Sequence, residues 1–314
     1  MTTQTAAVPA ATTPPAGVAP PAATTGTRAA SIRVQPFAPA IGAVIDGVDL
    51  SRPLSDDAMA VMRAALRDHG VIFFRGQNLT PEQHIAFARR WAPIDINRFF
   101  AAVPGYPEIA EVRKEPEQKS NIGGGWHTDH SYDVVPAMGS ILLAREVPPM
   151  GGDTLFSSMS AAFDALSEGM KATLRSLNAV HSSRHVFGAK TGYAIKGDIG
   201  TRVGNSELAT QDVVHRAVIR HPESGREVLF VNPAFTLGFE GWTPQESAPL
   251  LQFLYQHAAR PEFSCRFQWA AGSIAFWDNR ATWHYASNDY HGARRVMHRI
   301  TIEGSQIEGS RALV

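Results

Sequence analysis

The sequence contains a single cysteine, Cys265, among its 314 residues. It therefore has no disulfide framework and no thiolate cluster for zinc or iron–sulfur, which predicts a protein of the reducing cytoplasm. Its 29 basic and 29 acidic residues cancel, so no excess of charge points to nucleic acid or to an anionic membrane as a partner. No apolar run approaches the length of a transmembrane helix. The glycine-rich nucleotide motifs G-x-G-x-x-G and G-x-x-x-x-G-K-S/T are also missing.

Residues 1–30 differ in composition from everything that follows. They are rich in Ala, Pro and Thr, carry one charged residue, Arg28, and show no periodic apolar pattern. Such a segment buries too little surface to offset the entropy of ordering it, so we expect a disordered tail. The remaining residues, 31–314, are predicted to form one domain.

Three helices have clear start signals. Ser55 is placed to cap a helix that ends at Gly70, and capping boxes begin at Thr80 and Thr243. Two more helices are expected at 160–177. The other apolar segments are short and strand-like, which predicts a mostly β fold with flanking helices, an antiparallel barrel or sandwich. The predicted strands include 179–186, 213–220, 227–231, 263–269, 273–278 and 294–302; residues 92–125 are predicted to be irregular and 188–212 to be a mobile lid.

A glycine run leads into a segment with metal-binding chemistry. His127 and Asp129 are two residues apart, and in an extended segment alternate side chains point to the same face. A second imidazole from a distant strand, with His284 as the candidate, completes a two-histidine, one-carboxylate set that holds Fe(II) and leaves one face open. Taken alone, an H-x-D pair favours the plainer interpretation, a surface histidine beside a turn aspartate.

The last predicted strand carries two arginines with the same alternation. Arg295 and Arg299 are four residues apart, so both side chains face one side of the strand. A buried guanidinium needs a partner, because an unpaired buried charge is costly. A bidentate carboxylate ligand meets that need, and so does an Asp or Glu on a neighbouring strand.

Four segments together resemble the taurine/2,4-dichlorophenoxyacetate dioxygenase family. This resemblance runs from about residue 32 to residue 304 and implies a double-stranded β-helix, or jelly roll. It also implies an oxygenase that uses Fe(II), the cosubstrate 2-oxoglutarate and O2, and that forms a homodimer or homotetramer. The segments are Trp126–Asp129, Gly151–Thr154, Trp277–Tyr285 and Arg294–Arg299.

The resemblance implies a role for each matching residue. His127, Asp129 and His284 match the iron ligands. Thr154 and Arg295 match the residues that bind the distal carboxylate of 2-oxoglutarate. Arg299 matches an arginine that receives the anionic group of the substrate. Further candidates for the substrate pocket are Asn97, Arg98, Phe99, Phe100 and His130, with Phe239 and Trp242 at its mouth; Asp278 and Arg280 are expected to support His284 structurally.

These assignments predict hydroxylation of a small organic anion, with succinate and CO2 as coproducts. The first candidate is an aryloxyalkanoate cleaved to a phenol and a keto acid, since 105–108, 180–188 and 251–255 resemble the aryloxyalkanoate dioxygenases. The alternative is an alkyl sulfate or sulfonate, although Asn97 stands where the taurine enzyme has a sulfonate-binding histidine. A zinc hydrolase and a degenerate cupin-like binding module are the remaining readings.

Overall fold

The structure is a computed structural model that describes residues 32–189, 198, 203–210 and 212–313. The tail expected at 1–30 lies outside the described residues, as does much of the lid expected at 188–212. Within the described part, no helix combines the length and the apolar character needed to cross a membrane.

The described part of the chain is mostly β with flanking helices, as predicted, and it contains six α-helices. The strands are β1 Arg33–Pro36, β2 Ala43–Asp46, β3 Val71–Phe74, β4 Ile94–Asp95, β5 Ala102–Val103, β6 Tyr106–Lys114, β7 Gly139–Glu146, β8 Thr154–Ser158, β9 Asn178–Ser182, β10 Asp212–Arg216, β11 Val218–Arg220, β12 Glu227–Leu229, β13 Thr236–Phe239, β14 Ser264–Phe267, β15 Ile274–Asp278, β16 Thr282–Ala286, β17 Arg295–Ile302 and β18 Arg311–Ala312. The helices are α1 Asp56–His69, α2 Pro81–Arg89, α3 Met159–Asp164, α4 Glu168–Arg175, α5 Arg184–Phe187 and α6 Pro244–Ala258.

Two sheets position the site. The large sheet has nine strands in the order β1-β2-β3-β15-β7-β17-β6-β5, with β4 also paired to β17. The second sheet has three strands in the order β14-β8-β16. A four-stranded sheet, β13-β9-β10-β18, and the hairpin β11-β12 complete the pairing of the described strands. All of these pairs are antiparallel except β2-β3.

The predicted helix ends are confirmed. Ser55 accepts from Ala58 N at the start of α1, and Gly70 ends that helix at φ +71°, a conformation that glycine adopts without a steric cost. Thr80 and Thr243 each form the expected capping box, with Pro at the first helical position of α2 and α6. These local signals were readable because each depends on side chains only three residues apart.

Three strand predictions were wrong. The segment predicted to be irregular contains β6, a nine-residue strand whose burial does not alternate and which pairs with β17. The strand predicted at 179–186 ends at Ser182 and is followed by α5. The strand predicted at 213–220 is two strands: β10 pairs with β9 and β18, while β11 pairs with β12. Tertiary pairing decided each of these, and local patterns do not report it.

Candidate active site

A backbone bridge brings the two candidate histidines together. His127 N donates to His284 O at 3.1 Å, and His284 N donates to His127 O at 2.8 Å. His284 lies in the middle of β16, where it pairs with Phe156 of β8. His127 lies in an isolated bridge that is followed at once by a turn, so the segment is extended only locally. The ring centroids of the two imidazoles are consequently 4.0 Å apart.

The carboxylate of Asp129 faces both imidazoles. Its Oδ1 is 3.8 Å from Nε2 of His127, and its Oδ2 is 3.6 Å from Nε2 of His284. One ligand atom from each of the three residues lies within 4.8 Å of the others, and all three residues are buried. Two imidazoles and one carboxylate meeting in this way match the donor set of a non-haem Fe(II) site.

Neighbouring groups fix the chemical state of these donors. Nδ1 of His127 lies 2.8 Å from Gly125 O and donates to it, which leaves Nε2 with a lone pair for a metal. Burial lowers the pKa of His284 well below its usual value, so this imidazole is neutral. Burial by itself raises the pKa of Asp129, but the positive charge of Arg299 holds that pKa below the usual range. Asp129 is therefore an anion.

Arg295 lies in a second polar region, beside the start of β8. Its Nε and Nη2 are buried and have no hydrogen-bond partner in the described part of the chain. Burial lowers the pKa of its guanidinium. Gly152, at φ +72°, lies so close that a Cβ there would stand 3.3 Å from Cδ of Arg295. Thr154 opens β8 and accepts a hydrogen bond from Trp269 Nε1 at 3.0 Å. Unpaired cationic donors of this kind call for a carboxylate ligand.

Arg299 does have a partner in the protein. Its Nη1 is 3.2 Å from Asp129 Oδ2, and its guanidinium carbon lies 5.5 Å from the centroid of the Phe100 ring. Only 9% of its side chain is exposed. Arg299 therefore pairs with a carboxylate of the protein, although its Nε is buried and has no partner among the described residues. Arg295 has two such nitrogens, Nε and Nη2.

An aromatic cluster borders the metal-ligand candidates. The ring of Phe235 lies 6.5 Å from the imidazole of His127 and 4.7 Å from Tyr132. The backbone of Phe100 pairs with Val203, so part of the segment expected to be a lid lies against this cluster. Sequence periodicity did not indicate that these rings form a cluster, because they lie in loops and in the short helix α5. The buried members are Phe99, Tyr132, Phe187, Ala209 and Phe235, with Phe100, Val186, Val203 and Ala234 packed against them.

Several predicted substrate contacts have partners within the protein. Asn97 uses its side-chain oxygen to accept from Phe99 N and Phe100 N, both at 3.0 Å, which closes a local turn. Phe99 is 1% exposed and stacks on Phe187 at 4.3 Å, so it is a core residue. His130 is held through Nδ1 by Asp133 at 2.9 Å and is buried at φ +60°.

The two aromatic residues expected at the mouth lie elsewhere. Phe239 packs in the core beneath α6 with Leu251 and Leu254, and Trp242 packs on Phe239. The expectation placed them by residue type alone, whereas the pairing of β13 with β9 decides where Phe239 packs. Phe235, four residues before Phe239, is the ring that reaches His127.

A second group of histidine and carboxylates lies at the β15–β16 turn. Asp278 accepts from His221 Nε2 at 3.0 Å and from Nε and Nη2 of Arg280 at 2.9 and 2.6 Å. Glu223 accepts from Arg280 Nη1 at 3.1 Å. Burial alone raises the pKa of Asp278, but Arg280 and His221 hold it below the usual range. The predicted structural role of Asp278 and Arg280 agrees with this closed network.

The sequence profile described as "Taurine catabolism dioxygenase TauD, TfdA family" matches residues 33–301. The chain belongs to this family. It is 33% identical over 276 residues to an alkylsulfatase from Acinetobacter baylyi, covering 87% of this chain and 85% of that protein. It is 34% identical over 279 residues to the (S)-phenoxypropionate/alpha-ketoglutarate-dioxygenase of Sphingobium herbicidovorans, covering 86% and 94%. A putative alpha-ketoglutarate-dependent taurine dioxygenase structure from Burkholderia xenovorans superposes with TM-score 0.76 at 36% identity, covering 90% and 98%.

Membership of the TauD/TfdA family fixes the enzyme class. The protein is a 2-oxoglutarate-dependent dioxygenase, and its cofactor and cosubstrates are Fe(II), 2-oxoglutarate and O2. The residues present fit these groups. The donor set of His127, Asp129 and His284 suits Fe(II), and the unpaired buried guanidinium of Arg295 suits a carboxylate.

Proposed function

We propose that this dioxygenase hydroxylates a small organic anion with an apolar, preferably aromatic, body, and that an aryloxyalkanoate is its substrate class. The observation that carries this proposal is the position of Arg299. Its guanidinium lies beside Asp129, against the ring of Phe100, at the border between the metal-ligand candidates and the aromatic cluster. An anion bound there has its apolar part directed to aromatic side chains.

In this proposal His127, Asp129 and His284 hold Fe(II). Thr154 and Arg295 hold the distal carboxylate of 2-oxoglutarate. When bound, the iron and 2-oxoglutarate supply the oxidative chemistry that uses O2 to hydroxylate a C–H bond and releases succinate and CO2. The chain contributes the coordination geometry, the placement of the substrate and the exclusion of water by buried rings such as Phe235.

Arg299 orients the substrate. A guanidinium binds a carboxylate through two parallel hydrogen bonds, which fixes the direction of the group as well as its position. With the carboxylate of an aryloxyalkanoate held there, the adjoining carbon, which also bears the ether oxygen, is the one presented for hydroxylation. Cleavage at that carbon then gives a phenol and a keto acid.

An alkyl sulfate is the second candidate. The relatives named for alkyl sulfate and phenoxypropionate chemistry are 33% and 34% identical to this chain, so identity alone does not separate the two substrate classes. The aromatic cluster favours the aryloxyalkanoate, because flat rings stack or pack edge to face with aromatic side chains. The turn role of Asn97, which uses its side-chain oxygen internally, gives no support for a sulfonate contact at that position.

Succinate release from the anaerobically Fe(II)-loaded protein on adding O2 and 2-oxoglutarate tests this proposal. The panel contains aryloxyalkanoates, alkyl sulfates, alkyl sulfonates and phosphonates. We expect the strongest stimulation with aryloxyalkanoates, and we expect Arg299→Ala to raise KM strongly for every anionic substrate. Stimulation by alkyl sulfates alone would replace the substrate class, and unchanged KM in Arg299→Ala would remove the role of Arg299.

Four further assignments belong to this proposal. The strands are assigned to a double-stranded β-helix, residues 31–314 to one domain, the location to the cytoplasm and the assembly to a homodimer or homotetramer. Light scattering of the full chain measures the last of these.

A further inference from the structure

We propose that Trp269 is a positioning residue for 2-oxoglutarate, which acts by fixing the direction in which the hydroxyl of Thr154 donates its proton. This inference rests on the proposed function, since it concerns the same cosubstrate subsite. Trp269 follows β14 and is 7% exposed. No sequence signal marked it, because its link to Thr154 depends on the pairing of β14 with β8, where Phe267 lies opposite Thr154.

The hydrogen bond between the two residues has one possible polarity. The indole Nε1 of a tryptophan is a donor only, so at 3.0 Å from Trp269 Nε1 the Thr154 Oγ1 must accept. A hydroxyl that accepts one hydrogen bond still has its own proton to donate. Within the described part of the chain, Thr154 Oγ1 makes no second hydrogen bond. The indole therefore turns this hydroxyl into an oriented donor with no acceptor among the described residues.

The neighbouring guanidinium of Arg295 also has hydrogen-bond donors that lack an acceptor among the described residues. Arg295 Nε and Nη2 are buried and have no partner in the part of the chain that the structure describes. The guanidinium carbon of Arg295 lies 5.8 Å from the centroid of the Trp269 ring. One indole thus contacts both residues of the proposed carboxylate site, one through its N–H and the other through its ring. A carboxylate is acceptor-only and satisfies all of these donors at once. A neutral ligand or a cation does not.

The ring of Trp269 is itself held in place. It packs edge to face on Phe267, with centroids 4.9 Å apart at 87°. Phe267 stacks in turn on Phe73, at 4.1 Å. The indole is anchored in the core of the molecule, so the direction of the Thr154 hydroxyl is set before any ligand arrives. Preorganised donors of this kind lose less entropy on binding than donors that must first be ordered.

The test is calorimetric titration of the Fe(II)-loaded protein under anaerobic conditions, so that binding is measured without turnover. The ligands are 2-oxoglutarate and 2-oxopentanoate, which has the same 2-oxo acid head but lacks the distal carboxylate. We expect Trp269→Phe to weaken 2-oxoglutarate binding by about 3- to 10-fold, because that is the change in affinity that the loss of one neutral hydrogen bond causes. Binding of 2-oxopentanoate should not change.

A double-mutant cycle separates positioning from packing. In Thr154→Val, which removes the hydroxyl, the additional change Trp269→Phe should alter 2-oxoglutarate affinity by less than about twofold, because the two residues act as one unit. Thr154→Ser keeps the hydroxyl and should keep the full effect of Trp269→Phe. Trp91→Phe is the matched control. It removes a buried indole N–H that has no partner among the described residues, and it should leave both affinities unchanged.

The outcomes separate this inference from the proposed function. Equal losses for both ligands, or a loss of more than about threefold that persists in Thr154→Val, would show that Trp269 acts only through packing. If Arg295→Leu leaves 2-oxoglutarate affinity unchanged, the cosubstrate lies elsewhere and both ideas fall. If Arg295→Leu weakens binding and Trp269→Phe does not, the proposed function stands and this inference is wrong.

Discussion

Two buried clusters of histidine and carboxylate in this molecule differ in one respect. At the β15–β16 turn, Asp278 accepts four hydrogen bonds: from His221, from the Arg280 backbone and from two guanidinium nitrogens of Arg280. Among the described residues, the carboxylate of Asp129 accepts one hydrogen bond, from Ser140 at 3.4 Å, and has an arginine at 3.2 Å. Both carboxylates are buried, and both have pKa values below the usual range.

The difference lies in how many protein donors surround each carboxylate. Both carboxylate oxygens of Asp278 accept from Arg280, so a cation would have to displace that guanidinium. In the Asp129 cluster the ligand atoms of three residues face one another, and Arg299 lies 3.2 Å from Oδ2 of the carboxylate. The proposed function explains this arrangement by a metal ion.

The largest effect is expected from breaking the open cluster. His127→Ala should lower turnover by more than about 100-fold, since loss of even an outer partner of a metal ligand costs 10- to 100-fold. The comparison variant is His221→Ala, which removes a histidine from the closed cluster; its side chain is 3% exposed, against 12% for His127. That variant should keep turnover per folded molecule. Comparable loss of turnover in both variants would contradict the distinction between the clusters.

The next effect concerns stability. Asp278→Ala removes the main partner of a guanidinium that is 3% exposed, and should lower the free energy of unfolding by about 3 kcal/mol. The value lies at the low end of the range for broken buried pairs because Glu223 remains beside Arg280. Urea unfolding measures it. A loss below about 0.5 kcal/mol would mean that the closed network contributes little.

Replacing the proposed cosubstrate arginine, Arg295, should change the free energy of unfolding in the opposite direction. Arg295→Met removes an unpaired buried charge and should raise the free energy of unfolding of the ligand-free protein by about 1–3 kcal/mol. The same change should abolish the stabilisation by 2-oxoglutarate in a thermal melt. Arg294→Met is the control: Arg294 is exposed and paired with Glu115, so neither quantity should change appreciably. Destabilisation in Arg295→Met would show that the guanidinium has a structural partner.

The smallest effect comes from a buried histidine that belongs to neither cluster. Both ring nitrogens of His84 lack a partner among the described residues, and burial lowers its pKa to about 3. In the unfolded chain the imidazole of His84 takes up a proton near pH 6.5. The stability that comes from this histidine being neutral is therefore fully present above pH 6.5 and is lost as pH falls toward 3. His84→Leu should flatten unfolding free energy against pH in this window and add about 1 kcal/mol at neutral pH. If the slope of unfolding free energy against pH is the same in His84→Leu as in the wild type, this role of His84 is wrong.

How much the sequence revealed depended on the range of the interactions. The caps at Ser55, Thr80 and Thr243 were readable because they join residues three apart. His127, Asp129 and His284 were found from a motif and a family resemblance, and the structure brings them together. Phe235 and Trp269 were missed, since their neighbours His127 and Thr154 lie more than 100 residues away in the chain. Such contacts are created by tertiary packing, which local patterns do not report.

Anaerobic equilibrium dialysis with Fe(II) tests the central claim most directly. It is applied to the wild-type chain, to Asp129→Asn and to Asp278→Asn, with folding of each variant checked by circular dichroism. The account predicts one tightly bound ion per chain in the wild type and in Asp278→Asn, and none in Asp129→Asn. An ion that persists in Asp129→Asn but is lost from Asp278→Asn would contradict it, because the closed cluster would then be the metal site.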